Sequence, residues 1–290
     1  MQSGYKLKHK YMARPFESDL VLSEKISDAN LRVYHVGYES NKFRLTPLVE
    51  VIRKVIPEFA FGYHEGMNLP FTEVVERIVE AANTVYLTDK YQRRGEFGEL
   101  ILHLLLRDWC NTIPLVSKIY FKDSHNATVH GFDGIHITIE EEKRKLWLGE
   151  SKLYLDGESG VKELAKDVLH HVNANYLKKE FELIRRKIPQ EIPDVEYWMN
   201  LMHKHKNLDE VFDTIVIPLV CTYSSKVFAD HSDNTDDYFA ALEKECRELF
   251  EIFSGKVDTE VELLLLLLPV PCKDELNAAL DSRLKHMQKI

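Results

Sequence analysis

Residues 131–138 read Gly-Phe-Asp-Gly-Ile-His-Ile-Thr and residues 146–154 read Leu-Trp-Leu-Gly-Glu-Ser-Lys-Leu-Tyr, with the charged tip Glu140 to Lys145 between them. Both arms are rich in β-branched and aromatic residues and the tip is polar, a pattern that predicts two strands joined as an antiparallel hairpin. Side chains two apart on a strand share a face, so Glu150 and Lys152 are expected to point one way and Trp147, Gly149, Ser151 and Leu153 the other. An acid and a base on one face of an apolar strand are partly buried, which is tolerable when they are paired or hold something. Asp133, at the start of the partner strand, can supply a second carboxylate.

Upstream, residues 94–106 read Arg-Gly-Glu-Phe-Gly-Glu-Leu-Ile-Leu-His-Leu-Leu-Leu. This predicts a mostly buried helix over about 92–110. Glu96, Glu99, His103 and Leu106 recur at spacings of three to four, so one stripe of an otherwise apolar helix is ionisable. His103, His136, His170 and His171 read as core or supporting histidines that lack a set of partners.

The chain has 290 residues, 44% hydrophobic and 29% charged, with 12 Gly and 10 Pro, an ordinary globular composition with little room for disordered tracts. Its formal charge of −9 is unlike that of a protein that grips DNA alone, because neutralising phosphates calls for an excess of Lys and Arg. Two readings follow: a protein that does not touch nucleic acid, or one handed its substrate by a more basic partner. The four cysteines are far apart with no zinc-ligand spacing, so reduced structural thiols are expected. The first 14 residues are polar and basic, which predicts a cytoplasmic protein. Residues 261–270 contain six consecutive leucines, too short a run to span a bilayer and better suited to a fully buried strand.

Residues 1–64 predict a small N-terminal α/β extension, with a basic segment at 6–10, a strand near 31–37 and a helix opened by Thr46 as N-cap and Pro47 at the first position. A helix from 68 to 86, the helix over 92–110, a strand over 114–121 and the hairpin follow. Next comes a helix from Ser159-Gly160 whose Leu164, Val168, Leu169 and Val172 form an apolar stripe, with Lys162 and Lys166 on another side. Strands over 213–223 and 261–270 alternate with helices over 234–254 and 274–289, which predicts parallel strands added beside the hairpin. No Gly-Lys-Ser/Thr phosphate loop is present, so ATP hydrolysis by this chain is not expected.

Asp133, then Glu150-Ser151-Lys152, resembles the signature of PD-(D/E)xK nucleases, in which an Asp begins one core strand and Glu-x-Lys lies on the next. With Gly-Glu-Phe-Gly-Glu-Leu at 95–100 and Leu-Gly-Glu-Ser-Lys at 148–152, the resemblance narrows to the HamA family, the nuclease-like subunit of the Hachiman antiphage defence system, over residues 65–289. The resemblance implies a restriction-endonuclease-like α/β fold over residues 65–290, a mixed sheet flanked by helices. It also implies a bacterial, metal-dependent DNA nuclease restrained by a superfamily 2 helicase, HamB, in a heterodimer. It assigns catalysis to Asp133, Glu150, Lys152 and a helical Glu99, and places Lys162 and Lys166 as contacts to DNA phosphates. The oxygen donors of Asp133, Glu150 and Glu99 suit Mg²⁺ or Mn²⁺. An RNA-directed nuclease and a non-catalytic helicase-binding subunit stand as alternatives, since a site that contacts phosphates does not read bases.

Overall fold

The structure is a computed structural model and describes residues 18–62, 65–66, 68–85, 95–117, 131–140 and 143–290. The basic segment at 6–10, the start of the helix expected from 92, the end of the strand expected to reach 121 and the very tip of the hairpin lie outside the described residues.

The strands are β1 (Ser23–Ser27), β2 (Leu31–His35), β3 (Tyr38–Glu39), β4 (Lys42–Phe43), β5 (Ile113–Ser117), β6 (Gly134–Glu140), β7 (Lys143–Tyr154), β8 (Ile215–Ser224) and β9 (Glu262–Val270). The helices are α1 (Leu45–Lys54), α2 (Ile56–Phe61), α3 (Val74–Val85), α4 (Glu96–Trp109), α5 (Gly157–His171), α6 (Ala174–Arg185), α7 (Val195–Leu201), α8 (Asp209–Phe212), α9 (Val227–Asp230), α10 (Asp236–Ser254) and α11 (Lys273–Met287).

The hairpin forms as its alternation predicts, with Gly134 opposite Gly149 and Glu140 opposite Lys143. It lies within a seven-stranded mixed sheet of order β1-β2-β9-β8-β7-β6-β5. The four central strands β2, β9, β8 and β7 run parallel, and antiparallel pairs close the sheet at both edges. The leucine run is β9, deep in the sheet. Leu264, Leu266 and Leu268 enter the core on one face and Leu265 and Leu267 the core on the other, which is why a strand in this place carries no polar alternation. Among the described residues no helix is long and apolar enough to cross a membrane.

Helices α5, α6 and α10 cover one face of the sheet, while α1, α2, α4 and α11 cover the other. The first 64 residues, expected as a small extension, contribute β1 and β2 to this sheet, and Leu31 to Val33 pair in parallel with Leu265 to Leu267. Helix α1 begins earlier than its sequence suggests: Arg44 is the N-cap, and Pro47 sits at the third helical position. Pro is tolerated there because N–H groups of a first turn have no intrahelical acceptor. On α5 the buried stripe is Val161, Leu164, Ala165 and Val168, whereas Leu169 is exposed.

Candidate active site

Because β7, β8 and β9 run parallel, their carboxyl ends lie on one side of the sheet, beside the starts of α5 and α11. Crevices of α/β sheets form at such ends. Here an open cleft of about 630 Å³ is lined by Glu99, Asp133, Glu150, Ser151, Lys152 and Ser159, with Lys273 and Asn277 at one wall. The four residues expected to carry the chemistry therefore meet in one cleft, although they come from α4, the start of β6 and the end of β7.

The period-two reasoning holds for β7. Glu150 and Lys152 both reach toward α5, where Lys152 Nζ lies 3.1 Å from Glu150 Oε1 and 2.5 Å from Asp167 Oδ2. His171 Nδ1, one helical turn beyond Asp167, is 3.8 Å from Glu150 Oε2. Burial works to lower the affinity of the Lys152 ammonium for its proton, but the Glu150 and Asp167 carboxylates outweigh it and hold the group above the usual lysine range. Lys152 is thus a fixed cation at the cleft wall. Burial pulls His171 down to about 4, against the pull of Asp167, so its ring is neutral near pH 7.

Asp133 is buried, and its Oδ2 accepts hydrogen bonds from Ser151 N at 2.9 Å and Ser151 Oγ at 2.7 Å. Its own N–H donates to Gly149 O at 2.8 Å, continuing the hairpin ladder one residue past Gly134. The residue between the Glu and the Lys therefore fixes the Asp across the strands.

Glycines set how closely α4 approaches. A Cβ on Gly98 would lie 3.1 Å from Ser151 Oγ, and one on Gly149 would lie 2.9 Å from Leu102 Cδ2 and 3.0 Å from Leu102 Cδ1. With hydrogen atoms at these positions the helix settles onto the hairpin and Glu99 is buried at the cleft. Gly149→Ala is expected to lower stability by about 1–3 kcal/mol through overpacking. Urea unfolding measures this, and an unchanged midpoint would mean that Leu102 repacks at no cost.

The structure does not bring Lys162 and Lys166 into the cleft. Both are exposed on α5, Lys162 against Glu158 and Lys166 with its amine 3.0 Å from Glu163. The basic stretch 143–145 lies at the far end of β7, with Arg144 Nε 2.7 Å from Asp194 and Lys145 Nζ 2.9 Å from Glu262. Asp167 and His171 contact Lys152 and Glu150, and Lys273 and Asn277 line the cleft; sequence reading passes over all of these but His171, which it leaves without a set of partners. A signal for the first two does exist: Gly160, Leu164, Asp167 and His171 follow one helical flank at spacings of four, three and four.

The buried histidines of α4 and β6 do not line the cleft. His136 Nδ1 is 2.7 Å from Thr112 Oγ1, and the His103 and His136 rings meet edge to face at 5.2 Å. Burial lowers both, as expected of core histidines. Below them, Arg107 Nε lies 2.7 Å from Glu58 Oε2 and the same guanidinium contacts Asp108, an ion cluster that ties α2 to α4.

Among the described residues no group of three or more His, Cys, Asp and Glu side chains stands in a ligating arrangement. The donor chemistry nevertheless fits a hard cation. Asp133 and Glu150 present carboxylates to the same cleft from adjacent strands, and Mg²⁺ is commonly held by one or two carboxylates together with water and substrate oxygens.

A model of the HamA family matches residues 14–284 of the 290-residue chain. The match takes in β1, β2, α1 and α2 as well as the residues from 65 onward on which the sequence resemblance rests. The comparison with curated proteins found no match.

Proposed function

The chain belongs to the HamA family of Hachiman antiphage defence subunits, and from that premise we propose that it is a metal-dependent nuclease that hydrolyses DNA phosphodiesters, with the PD-(D/E)xK arrangement of Asp133, Glu150 and Lys152 as its catalytic centre. The observation that carries the reading is the Lys152 ammonium, held between Glu150 and Asp167 at the wall of a cleft that also receives Asp133 and Glu99. A fixed cation in a partly dry site stabilises the charge that builds on a phosphorane far better than a solvated one. Asp167 contributes by orienting Lys152 and keeping it charged. Ser151 holds Asp133 in place, and α4 brings Glu99 to the same opening.

Asp133 and Glu150, with Glu99 beside them, would hold Mg²⁺ or Mn²⁺, which when bound polarises the phosphate and acidifies a water. The acidic balance of the chain, 47 Asp and Glu against 38 Lys and Arg, supports delivery of DNA by a helicase partner, HamB in this reading, since such a balance gives little counterion-release affinity for a duplex.

The test is degradation of supercoiled plasmid, linear duplex and RNA by the purified chain and by its complex with the helicase. EDTA is expected to stop DNA cleavage and Mg²⁺ or Mn²⁺ to restore it. Restoration by Zn²⁺ alone would overturn the metal assignment, and preferential cutting of RNA would redirect the substrate class. A protein that cuts neither under any metal would be a binding subunit with a nuclease-like cleft.

A further inference from the structure

One wall of the cleft has no part in the reading above. Helix α11 starts directly after β9, and Lys273 and Asn277, four residues apart and hence on one helical face, both line the cleft. Asn277 is only 1% exposed, and its Oδ1 is fully enclosed without a hydrogen-bond partner among the described residues. A buried amide left unpaired is costly, so its retention at a cleft wall points to a ligand that completes it. The two ends of an amide are nearly isosteric, and a half-turn offers N–H donors in place of the oxygen.

The helix start has matching chemistry. Its N-cap, Cys272, supplies no side-chain hydrogen bond to the first turn, and the N–H of Lys273 is anchored by Ser224 Oγ at 2.8 Å. The first turn of this 15-residue helix lies at the cleft with N–H groups that its cap side chain does not cover, and it also carries the acidic side chains of Asp274 and Glu275. Among the described residues lining the cleft the cations are Lys152 and Lys273. Lys152 is already compensated by two carboxylates, whereas the nearest acid to Lys273 is Asp274 at 3.5 Å, a side chain 62% exposed and well solvated.

We propose that the first turn of α11, with Lys273 and Asn277, is a phosphate subsite that holds a backbone phosphate of the polynucleotide other than the one being cut. The assignment rests on the nuclease reading for its substrate, but the subsite itself is chemistry for a phosphate group and can be probed without cleavage. The full chain is compared with Lys273→Gln, Asn277→Ala and, as a control for loss of an exposed charge, Lys244→Gln on α10. One arm measures thermal stabilisation by inorganic phosphate. The other measures binding of a fluorescein-labelled single-stranded oligonucleotide by anisotropy in Mg²⁺, with every variant carried in a Glu150→Gln background so that DNA is bound and not consumed.

Lys273→Gln is expected to lose the phosphate-dependent rise in Tm, to weaken oligonucleotide binding on the order of tenfold at low salt, and to reduce the slope of log Kd against log salt by about 0.7–1, the signature of one lost phosphate contact. Asn277→Ala is expected to weaken phosphate stabilisation with the salt slope kept. If Lys273→Gln responds like Lys244→Gln in the phosphate arm, the subsite is refuted, whether or not Asn277→Ala folds. If phosphate stabilisation depends on Lys273 while DNA is neither bound nor cut, the subsite stands and the nuclease reading falls.

Discussion

Glu150→Gln is expected to reduce DNA cleavage at least on the order of 10²-fold, the usual consequence of removing one preorganised charged group from a catalytic site. The substitution keeps the shape of the side chain and an oxygen for Lys152, which retains Asp167 as its second partner, so the fold has little reason to change. What disappears is the negative charge that would help to hold a divalent cation and that sets the position of the Lys152 ammonium. Lys152→Met should be equally inactive for the complementary reason, and less stable, because Glu150 and Asp167 would then face each other across α5 and β7 without their shared cation. Cleavage is followed on plasmid in Mg²⁺, and circular dichroism checks the fold. Wild-type cleavage by folded Glu150→Gln would remove this residue from the catalytic centre and the PD-(D/E)xK reading with it.

The second large effect lies away from the cleft. Arg107→Leu should cost about 3–5 kcal/mol of stability, because it leaves the Glu58 carboxylate, which has no exposed side-chain surface, beside Asp108 without a counter-cation. Burial pushes Glu58 up to about 7 even with Arg107 lowering it, which shows how strongly this position resists an unpaired charge. A fall in Tm on the order of 10 °C is expected for a chain of this size. The double variant Glu58→Leu/Arg107→Leu should recover a large part of the loss, since apolar residues can replace a buried pair where a lone charge cannot stand. If the double variant is no more stable than the single one, the cluster is not the joint between α2 and α4 that its geometry describes.

Much of this architecture is written locally in the chain. The alternation across 131–154 set the hairpin, and because side-chain direction on a strand has a period of two, it also set Glu150 and Lys152 on a common face. The leucines at 263–268 identified a strand buried on both sides, since only a central strand of a covered sheet dispenses with polar positions. The ionisable stripe of α4 gave Glu99, although nothing in its spacing said why glycines precede it and recur in the hairpin. That reason, the close approach of Leu102 to Gly149 and of Gly98 to Ser151, exists only when helix and sheet are packed.

Helical flanks were legible only in part. Lys166 and Asp167 are neighbours about 100° apart around α5, and the sequence pointed to the lysine and not to the acid beside it. Which of them meets Lys152 depends on the rotation with which Val161, Leu164, Ala165 and Val168 seat the helix on the sheet, and that rotation selects Asp167.

By itself, then, the sequence determined the elements whose signals are local: the hairpin, the buried strand, the amphipathic helices and the acids and lysine they carry. Tertiary structure alone decided that β2 pairs with β9 across most of the chain length, that Glu58 from the N-terminal region balances Arg107 of α4, and that the start of α11 faces the same cleft as Glu150. Periodicity fixes which way a side chain points along its own element. Which element it then meets is fixed by non-local packing and register, and these leave no spacing in the sequence to be read.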